Sequence, residues 1–381
     1  MDESGELNRL VRELNEGREP EPADTAATAR LDQWLGALAS RGGSDLLLIA
    51  DAPPCVRVHG EVRKLEPRPL DGADIEAAVL PALSRHALQL YREAGIADSS
   101  YRIGGVGRFR INIHRERGRT GAAIRALPTR VPALQELHLP PTVANLAHLP
   151  RGLVLIGGPA GSGKSTTLSA LIHEINAREA RHIVTIEDPI EYEHTHIRSV
   201  IEQVEIGTDA PDFPTALRAA LRQAPDVIVV GEMRDPETMR IAVSAAETGH
   251  LVLSTLHTTD VASTVARIAD SFPVERQNAI RQELAMALAA VLTQILLASK
   301  NGGRIPAAEL LMIGYGARHH IRRNNLQHLH QEIPLTKKKG SFTLEESLVA
   351  LIRNGDIERE EALICAIHPD DLDILLKSAG A

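Results

Sequence analysis

Arg151-Gly-Leu-Val-Leu-Ile-Gly-Gly-Pro-Ala-Gly-Ser-Gly-Lys-Ser-Thr-Thr167 is the stretch on which the reading of this chain turns. Leu153 to Ile156 is a short apolar run, the pattern of a strand buried on both faces of a parallel sheet. Gly158, Gly163, Lys164 and Ser165 then fill the pattern G-x-x-x-x-G-K-[ST], and Thr167 to Ile175 continues with helical character. A strand, a glycine-rich loop and a helix in that order have a chemical use. Glycines let successive backbone N–H groups turn inward around phosphate oxygens, and the helix points its positive end at the same anion. The residues of that turn are Gly158, Pro159, Ala160, Gly161, Ser162, Gly163, Lys164, Ser165 and Thr166. Lys164 has the reach for the β- and γ-phosphates of ATP, and the Ser165 hydroxyl is a ligand for Mg²⁺. The plain alternative is a glycine turn beside a surface lysine. An unbroken pattern between a strand and a helix argues against it, and nucleotide binding is the firmest expectation the sequence supports.

Outward from the loop, strands alternate with helices, the signature of a parallel sheet. The candidate strands are Leu153–Ile156, His182–Ile186, Val227–Val230 and Leu251–Thr255. In such sheets ligands bind beyond the carboxyl ends of the strands. Glu187-Asp-Pro-Ile-Glu191 follows the second strand, Gly231-Glu-Met-Arg-Asp235 the third, and Leu256-His-Thr258 the fourth. Each alone would read as solvated loop charge. Together they deliver carboxylates and an imidazole to the edge that carries the phosphate loop. Glu232 is the candidate for Mg²⁺ and its water shell, Glu187 or Glu191 for orienting the attacking water, and His257 for sensing the γ-phosphate. His250 is separable from His257, because the strand between them spans roughly 20 Å at about 3.3 Å per residue. A structural or inter-subunit role for His250 is at least as well supported as a catalytic one.

After Pro273 the pattern reads as mainly helical, with one strand-like piece at Ile305–Leu311. Leu284 to Ala298 is the most apolar long stretch. It falls short of the roughly 20 residues of a membrane span, and Thr293 and Gln294 interrupt it, so a buried helix is expected. Thr343-Leu-Glu-Glu346 fits a capping box opening a helix over Leu344–Arg353, which Asn354-Gly355 ends. His319, His320, His328 and His330 read as a solvated basic helix and loop, since no matching ligand cluster accompanies them in sequence. Lys337-Lys-Lys339 reads as a charged loop.

Upstream, residues 1 to about 28 are polar and charged, with a short helix expected over Gly5–Leu14 and a breaker cluster at Glu19-Pro-Glu-Pro. A helix from Arg30 carries Leu31, Trp34, Leu35 and Leu38 on one face. Strands are expected at Leu46–Ile49, Cys55–Val58, Val62–Leu65, Ser99–Ile103, Arg108–His114 and Gly121–Leu127, with a helical stretch over Leu70–Tyr91 broken near Pro81. These make an α+β domain, and Pro128, Pro132, Pro140 and Pro141 mark a stiff connection after it.

A chain of 381 residues has room for two domains. Its net charge of −8 and its 2% of aromatic residues argue against nucleic acid as a partner, because tracking a strand calls for a basic face and stacking platforms. Cys55 and Cys365 make neither a disulfide framework nor a four-cysteine zinc site. The acidic N-terminus shows no export signal.

With these motifs assembled, the chain resembles the secretion-type ATPases, and among them the type IV pilus retraction group of twitching motility, the PilT/PilU-like family. The resemblance runs from about Asp32 to Leu376. It rests on Ser44-Asp-Leu-Leu-Leu48 with Pro54-Cys-Val-Arg-Val-His-Gly60, the phosphate loop Gly157–Thr167 and Thr185-Ile-Glu-Asp-Pro-Ile-Glu-Tyr192. It rests equally on Pro225–Asp235 and on Ala246–Thr258. The resemblance implies a RecA-like P-loop ATPase domain (residues 151–300), a smaller N-terminal α+β, PAS-like domain (30–127), a linker (128–150) and a mainly helical C-terminal region (301–381) behind a polar lead (1–29). It implies a homo-hexameric ring that hydrolyses ATP with Mg²⁺ and drives pilin withdrawal through an inner-membrane platform protein. Such a ring is cytoplasmic, docked peripherally at the inner membrane, and a paralogous retraction ATPase is a further expected partner. By motif position it assigns to Arg110 and Arg125 the task of completing the nucleotide site, while the residues alone favour outward charge on alternating strands. The isoleucine of the family's Ala-Ile-Arg segment is missing at Ala317-Arg318. An accessory ATPase with slow hydrolysis and a related secretion or DNA-export motor are the alternatives.

Overall fold

The structure, a computed structural model, describes residues 28–379. The helix expected over Gly5–Leu14 lies outside the described residues. The chain divides into two compact units.

The first unit takes the chain up to Arg130 together with Asp188–Thr195 and Glu205–Pro211. Its elements are α1 (Ala29–Ser40), β1 (Asp45–Leu48), β2 (Cys55–Val58), β3 (Glu61–Lys64), α2 (Gly72–Val79), α3 (Arg85–Ala94), β4 (Ile96–Ile103), β5 (Gly107–Glu116) and β6 (Arg119–Ala126). The strands form one antiparallel sheet in the order β3-β2-β1-β6-β5-β4. Alternation in β5 buries Phe109, Ile111 and Ile113, which pack with Leu31, Leu35 and Leu38 of α1 in a single core. Pro81 breaks the helical stretch as expected: a 3-10 turn over Leu80–Ala82 separates α2 from α3.

The second unit holds β7 (Gly152–Gly157), α4 (Lys164–Arg178), β8 (His182–Glu187), β9 (Val200–Glu205, ending on the first unit's segment), α5 (Phe213–Ala220), β10 (Val227–Val230), α6 (Pro236–Glu247), β11 (Leu251–Leu256), α7 (Val261–Asp270) and α8 (Val274–Ala287). It continues with β12 (Leu288–Ala298), β13 (Arg304–Met312), α9 (Tyr315–Arg323), α10 (Leu329–Leu335), α11 (Leu344–Arg353), α12 (Arg359–Cys365) and α13 (Pro369–Ala379). Seven strands lie in the order β13-β12-β7-β11-β10-β8-β9. β12, β7, β11, β10 and β8 run parallel, and β13 closes one edge antiparallel to β12. β7, β10 and β11 are buried at every residue, as strands covered by helices on both faces must be.

The expectation of a buried helix over Leu284–Ala298 is corrected here. The helix stops at Ala287 and Leu288–Ala298 is a strand, paired with β7 on one side and β13 on the other. An apolar run buried on all sides has no period to distinguish the two, and the vacant ladder beside β7 decides it. β9 was also unforeseen. The expected capping box forms, with the Glu346 amide donating to Thr343 Oγ1 at 3.2 Å, and Gly355 beyond α11 takes φ +77°.

Candidate functional site

The phosphate loop leaves the end of β7 and enters α4 through Gly163, whose φ of +88° lies in the left-handed region. Gly158 is more tightly held. A Cβ there would meet Ser162 Oγ at 2.4 Å and the Gln294 carbonyl oxygen at 2.5 Å. The Lys164 side chain is buried and its Nζ donates to the Gly158 and Pro159 carbonyls, both at 2.9 Å. The ammonium is thus drawn back across the mouth of its own loop, within reach of whatever the loop cradles.

β10 and β11 carry the charged groups to the same edge. Ser254 Oγ donates to the Val230 carbonyl at 2.7 Å and Thr255 Oγ1 to the Gly231 carbonyl at 2.6 Å, locking the two strand ends together. Glu232 and His257 leave those ends side by side, with Glu232 Oε2 and His257 Nε2 at 3.6 Å. The other imidazole nitrogen, Nδ1, lies 3.4 Å from Lys164 Nζ. An ammonium, an imidazole and a carboxylate therefore stand in line over the phosphate loop. Glu232 also pairs with Arg234.

Glu187 ends β8, beside β10, where the Gly231 amide donates to the Ile186 carbonyl at 2.8 Å. Its Oε1 accepts from Thr185 Oγ1 at 2.7 Å and from Gln203 Nε2 at 3.2 Å. Two donors hold the carboxylate in one orientation, a property a water-positioning group needs. Glu191 is exposed and belongs to the segment that groups with the first unit, so a unit boundary falls between these two candidates.

His250 does not join the cluster. It precedes β11, at the opposite edge of the sheet from His257; its Nδ1 lies 3.0 Å from the Ala245 carbonyl and its own carbonyl accepts from the Gly152 amide at 3.0 Å. His250 thus stands away from this chain's own phosphate loop, with a six-residue strand between, as the strand-length reading expected.

Arg110 and Arg125 are register partners on β5 and β6. Arg110 Nε donates to Asp98 Oδ1 at 3.2 Å and Arg125 Nε to Asp45 Oδ1 at 2.9 Å. Burial works to raise the Asp45 carboxyl pKa. Its bonds from Arg125 and Ser44, with the charges of Arg125 and Arg57, outweigh that and hold it below the usual range.

Sequence reasoning missed Gln294. On the unforeseen β12, and 3% exposed, it accepts from Thr167 Oγ1 at 2.8 Å and donates from Nε2 to the Ser162 carbonyl at 2.7 Å. One side chain thereby ties the start of α4 to the loop that precedes it. The signal was present: two polar residues, Thr293 and Gln294, in an otherwise apolar run need partners once buried. Asp260 was missed too. It caps α7, accepting from the Ser263 amide at 2.8 Å, while its carbonyl accepts from Thr264 Oγ1 at 2.7 Å, and Thr264 bonds Thr258 beside Gly157. Burial works to raise the Asp260 pKa, and its hydrogen bonds from Ser263, Thr259 and the Ala262 amide outweigh that and lower it.

A parallel sheet whose strand edge carries a glycine-rich phosphate loop, an inward lysine and a paired glutamate and histidine defines the class of P-loop nucleotide-binding proteins. A family model described as Type II/IV secretion system protein matches residues 125–351, more than half the chain, and the chain belongs to that family. It is 39% identical over 341 residues to the Type IV pilus retractation ATPase PilT of Pseudomonas aeruginosa, which covers 90% of this chain and 99% of that protein. Against the Type IV pilus ATPase PilU of the same organism it is 36% identical over 347 residues, 91% of each chain. Among solved structures, the pilus retraction motor PilT with bound ADP gives a TM-score of 0.82 at 41% identity, over 90% of this chain and 98% of that one. The Legionella pneumophila ATPase DotB gives 0.78 at 26% identity, over 91% and 97%. The two-domain architecture with a P-loop core and a helical C-terminal region is thus that of the PilT and DotB structures.

Proposed function

We propose that this chain is an ATP-hydrolysing motor that powers retraction of type IV pili. The alignment of Lys164, His257 and Glu232 over the phosphate loop carries the reading, in a chain similar over nine tenths of its length to a protein named as a pilus retraction ATPase. The loop residues Gly158 to Thr166 cradle the phosphates through backbone N–H groups, and Lys164 exchanges its carbonyl partners for β/γ-phosphate oxygens. The buried Ser162 hydroxyl, which makes no hydrogen bond, and the tight fit at Gly158 suit a loop preformed around an anion. Ser165 and Glu232 are the residues that would hold Mg²⁺, which when bound neutralises charge on the phosphates. Glu187, held by Thr185 and Gln203, orients the attacking water, with Glu191 as the alternative. His257 links the lysine to Glu232 and so reports on phosphate occupancy.

The chain works as a homo-hexamer in which Arg110 and Arg125 leave Asp98 and Asp45 to reach a nucleotide held by a neighbouring copy, where a guanidinium spreads charge over the phosphoryl oxygens. The ring acts in the cytoplasm, docked on an inner-membrane platform protein. No helix among the described residues is long and apolar enough to cross a membrane.

Deleting the gene and imaging surface pili tests this reading. Excess unretracted pili, corrected by the wild-type chain and not by Lys164→Ala, are expected; bald cells would overturn it. The similarity to PilU favours one second reading, an accessory nucleotide-binding subunit with slow hydrolysis that serves beside an active paralogous ring. ATPase rate against protein concentration, alone and with that paralogue, separates the two.

A further inference from the structure

His330 lies on α10, His368 stands immediately ahead of α13, and Asp371 is in the first turn of α13. His330 is distant in sequence from the other two, yet the three offer ligand atoms that all lie within 4.8 Å of one another. The two imidazole rings are 4.2 Å apart between centroids, at 41°. The expectation that these histidines lack companion ligands fails for His330, because its companions come from the other end of the C-terminal region.

Two buried carboxylates stand behind the imidazoles. Glu309 on β13 is 3% exposed; its Oε2 is buried, makes no hydrogen bond and faces His330 Nδ1 at 3.4 Å. Glu345 on α11 is 1% exposed and its Oε1 accepts from the His368 amide at 2.9 Å. Glu309 thus faces the His330 ring and Glu345 holds the His368 backbone, two carboxylates out of water beside the three candidate ligands.

We propose that His330, His368 and Asp371 form a binding site for a divalent transition metal of the zinc class. Two imidazoles and a carboxylate are a donor set that suits zinc, with water completing the shell. A carboxylate behind a ligating imidazole is the arrangement that fixes ring orientation and strengthens the ligand, and Glu309 supplies it for His330. Zinc–ligand bonds of about 2.0–2.1 Å set tetrahedral ligand atoms roughly 3.3 Å apart, so the three side chains close on the ion by small rotations. Asp371 is exposed and gives the ion its way in from solvent. The bound metal staples α13, whose Leu372 and Leu376 pack in one core with Leu344 and Leu348, to α10.

The test is zinc titration of the metal-stripped full chain, with metal content after dialysis and thermal melting as readouts. One zinc ion per chain is expected, with Kd below about 10 μM, and melting shifts upward with zinc. His330→Gln and His368→Gln lose both responses, while His319→Gln, on α9, keeps them. Nucleotide binding at Lys164 is unchanged in all of them, so the outcome is independent of the proposed motor activity. Absence of stoichiometric zinc on the wild-type chain overturns the site without any variant having to fold. Zinc retained undiminished by His330→Gln and His368→Gln overturns it equally.

Discussion

Gln294→Met separates the bracing of the phosphate loop from its chemistry. Methionine nearly conserves the volume, so the change leaves no large cavity. It strips the partner from the Thr167 hydroxyl and from the Ser162 carbonyl, which Gln294 bridges at 2.8 and 2.7 Å in a buried setting. A buried polar group left without a partner costs about 1–3 kcal/mol. The Thr167 hydroxyl can turn to a helix carbonyl, so the low end of the two-group total applies, roughly 2–3 kcal/mol. For a unit of this size that corresponds to a fall in Tm of roughly 4–12 °C. The single tryptophan, Trp34, lies in the first unit, so tryptophan fluorescence watches the wrong place. Circular dichroism melting and binding of a fluorescent ADP analogue report the second unit, and affinity should weaken along with Tm. Adding Thr167→Val removes one orphaned donor and should return part of the loss, a coupling that non-interacting sites would not show. A Gln294→Met protein that melts and binds ADP like wild type would refute the claim that β12 holds the loop in shape.

Lys164→Ala should lower hydrolysis by about 100-fold or more, since two charge-assisted bonds to phosphate at 1.5 kcal/mol or more each disappear; turnover near wild type would remove Lys164 from the site. Glu232→Gln keeps the shape and removes the charge. It should reduce the steady-state rate much more than ADP affinity, and an equal loss in both would assign Glu232 to binding instead. Asp260 has a carboxyl pKa held below its unfolded value, so its contribution to stability is fully present above about pH 4 and lost as pH falls through the folded value. Urea midpoints measured from pH 6 to pH 3 for wild type and Asp260→Asn should diverge in pH dependence only below about pH 4; a divergence near neutrality would show that the cap is not the source.

The phosphate loop, the parallel strand before it, three of those after it and the charged segments at their ends were legible because each is local. A glycine that must take positive φ, a run buried on both faces and a carboxylate just past a strand leave their mark within a few residues. The strand-end rule also separated His257 from His250 by strand length alone. What the residues could not express was the identity of Leu288–Ala298: a run buried on every side carries no period, and only the open ladder between β7 and β13 made it a strand. That choice carried Gln294 to the phosphate loop. The same limit applies to the three side chains at the far end, since His330 meets His368 and Asp371 only once α10 has packed on β13 and α13 on α11. Sequence determined which backbone segments could hold a phosphate and which charges would stand at their ends; tertiary structure decided which distant polar side chains brace that loop and which cluster elsewhere, because burial makes partners of residues that spacing never relates.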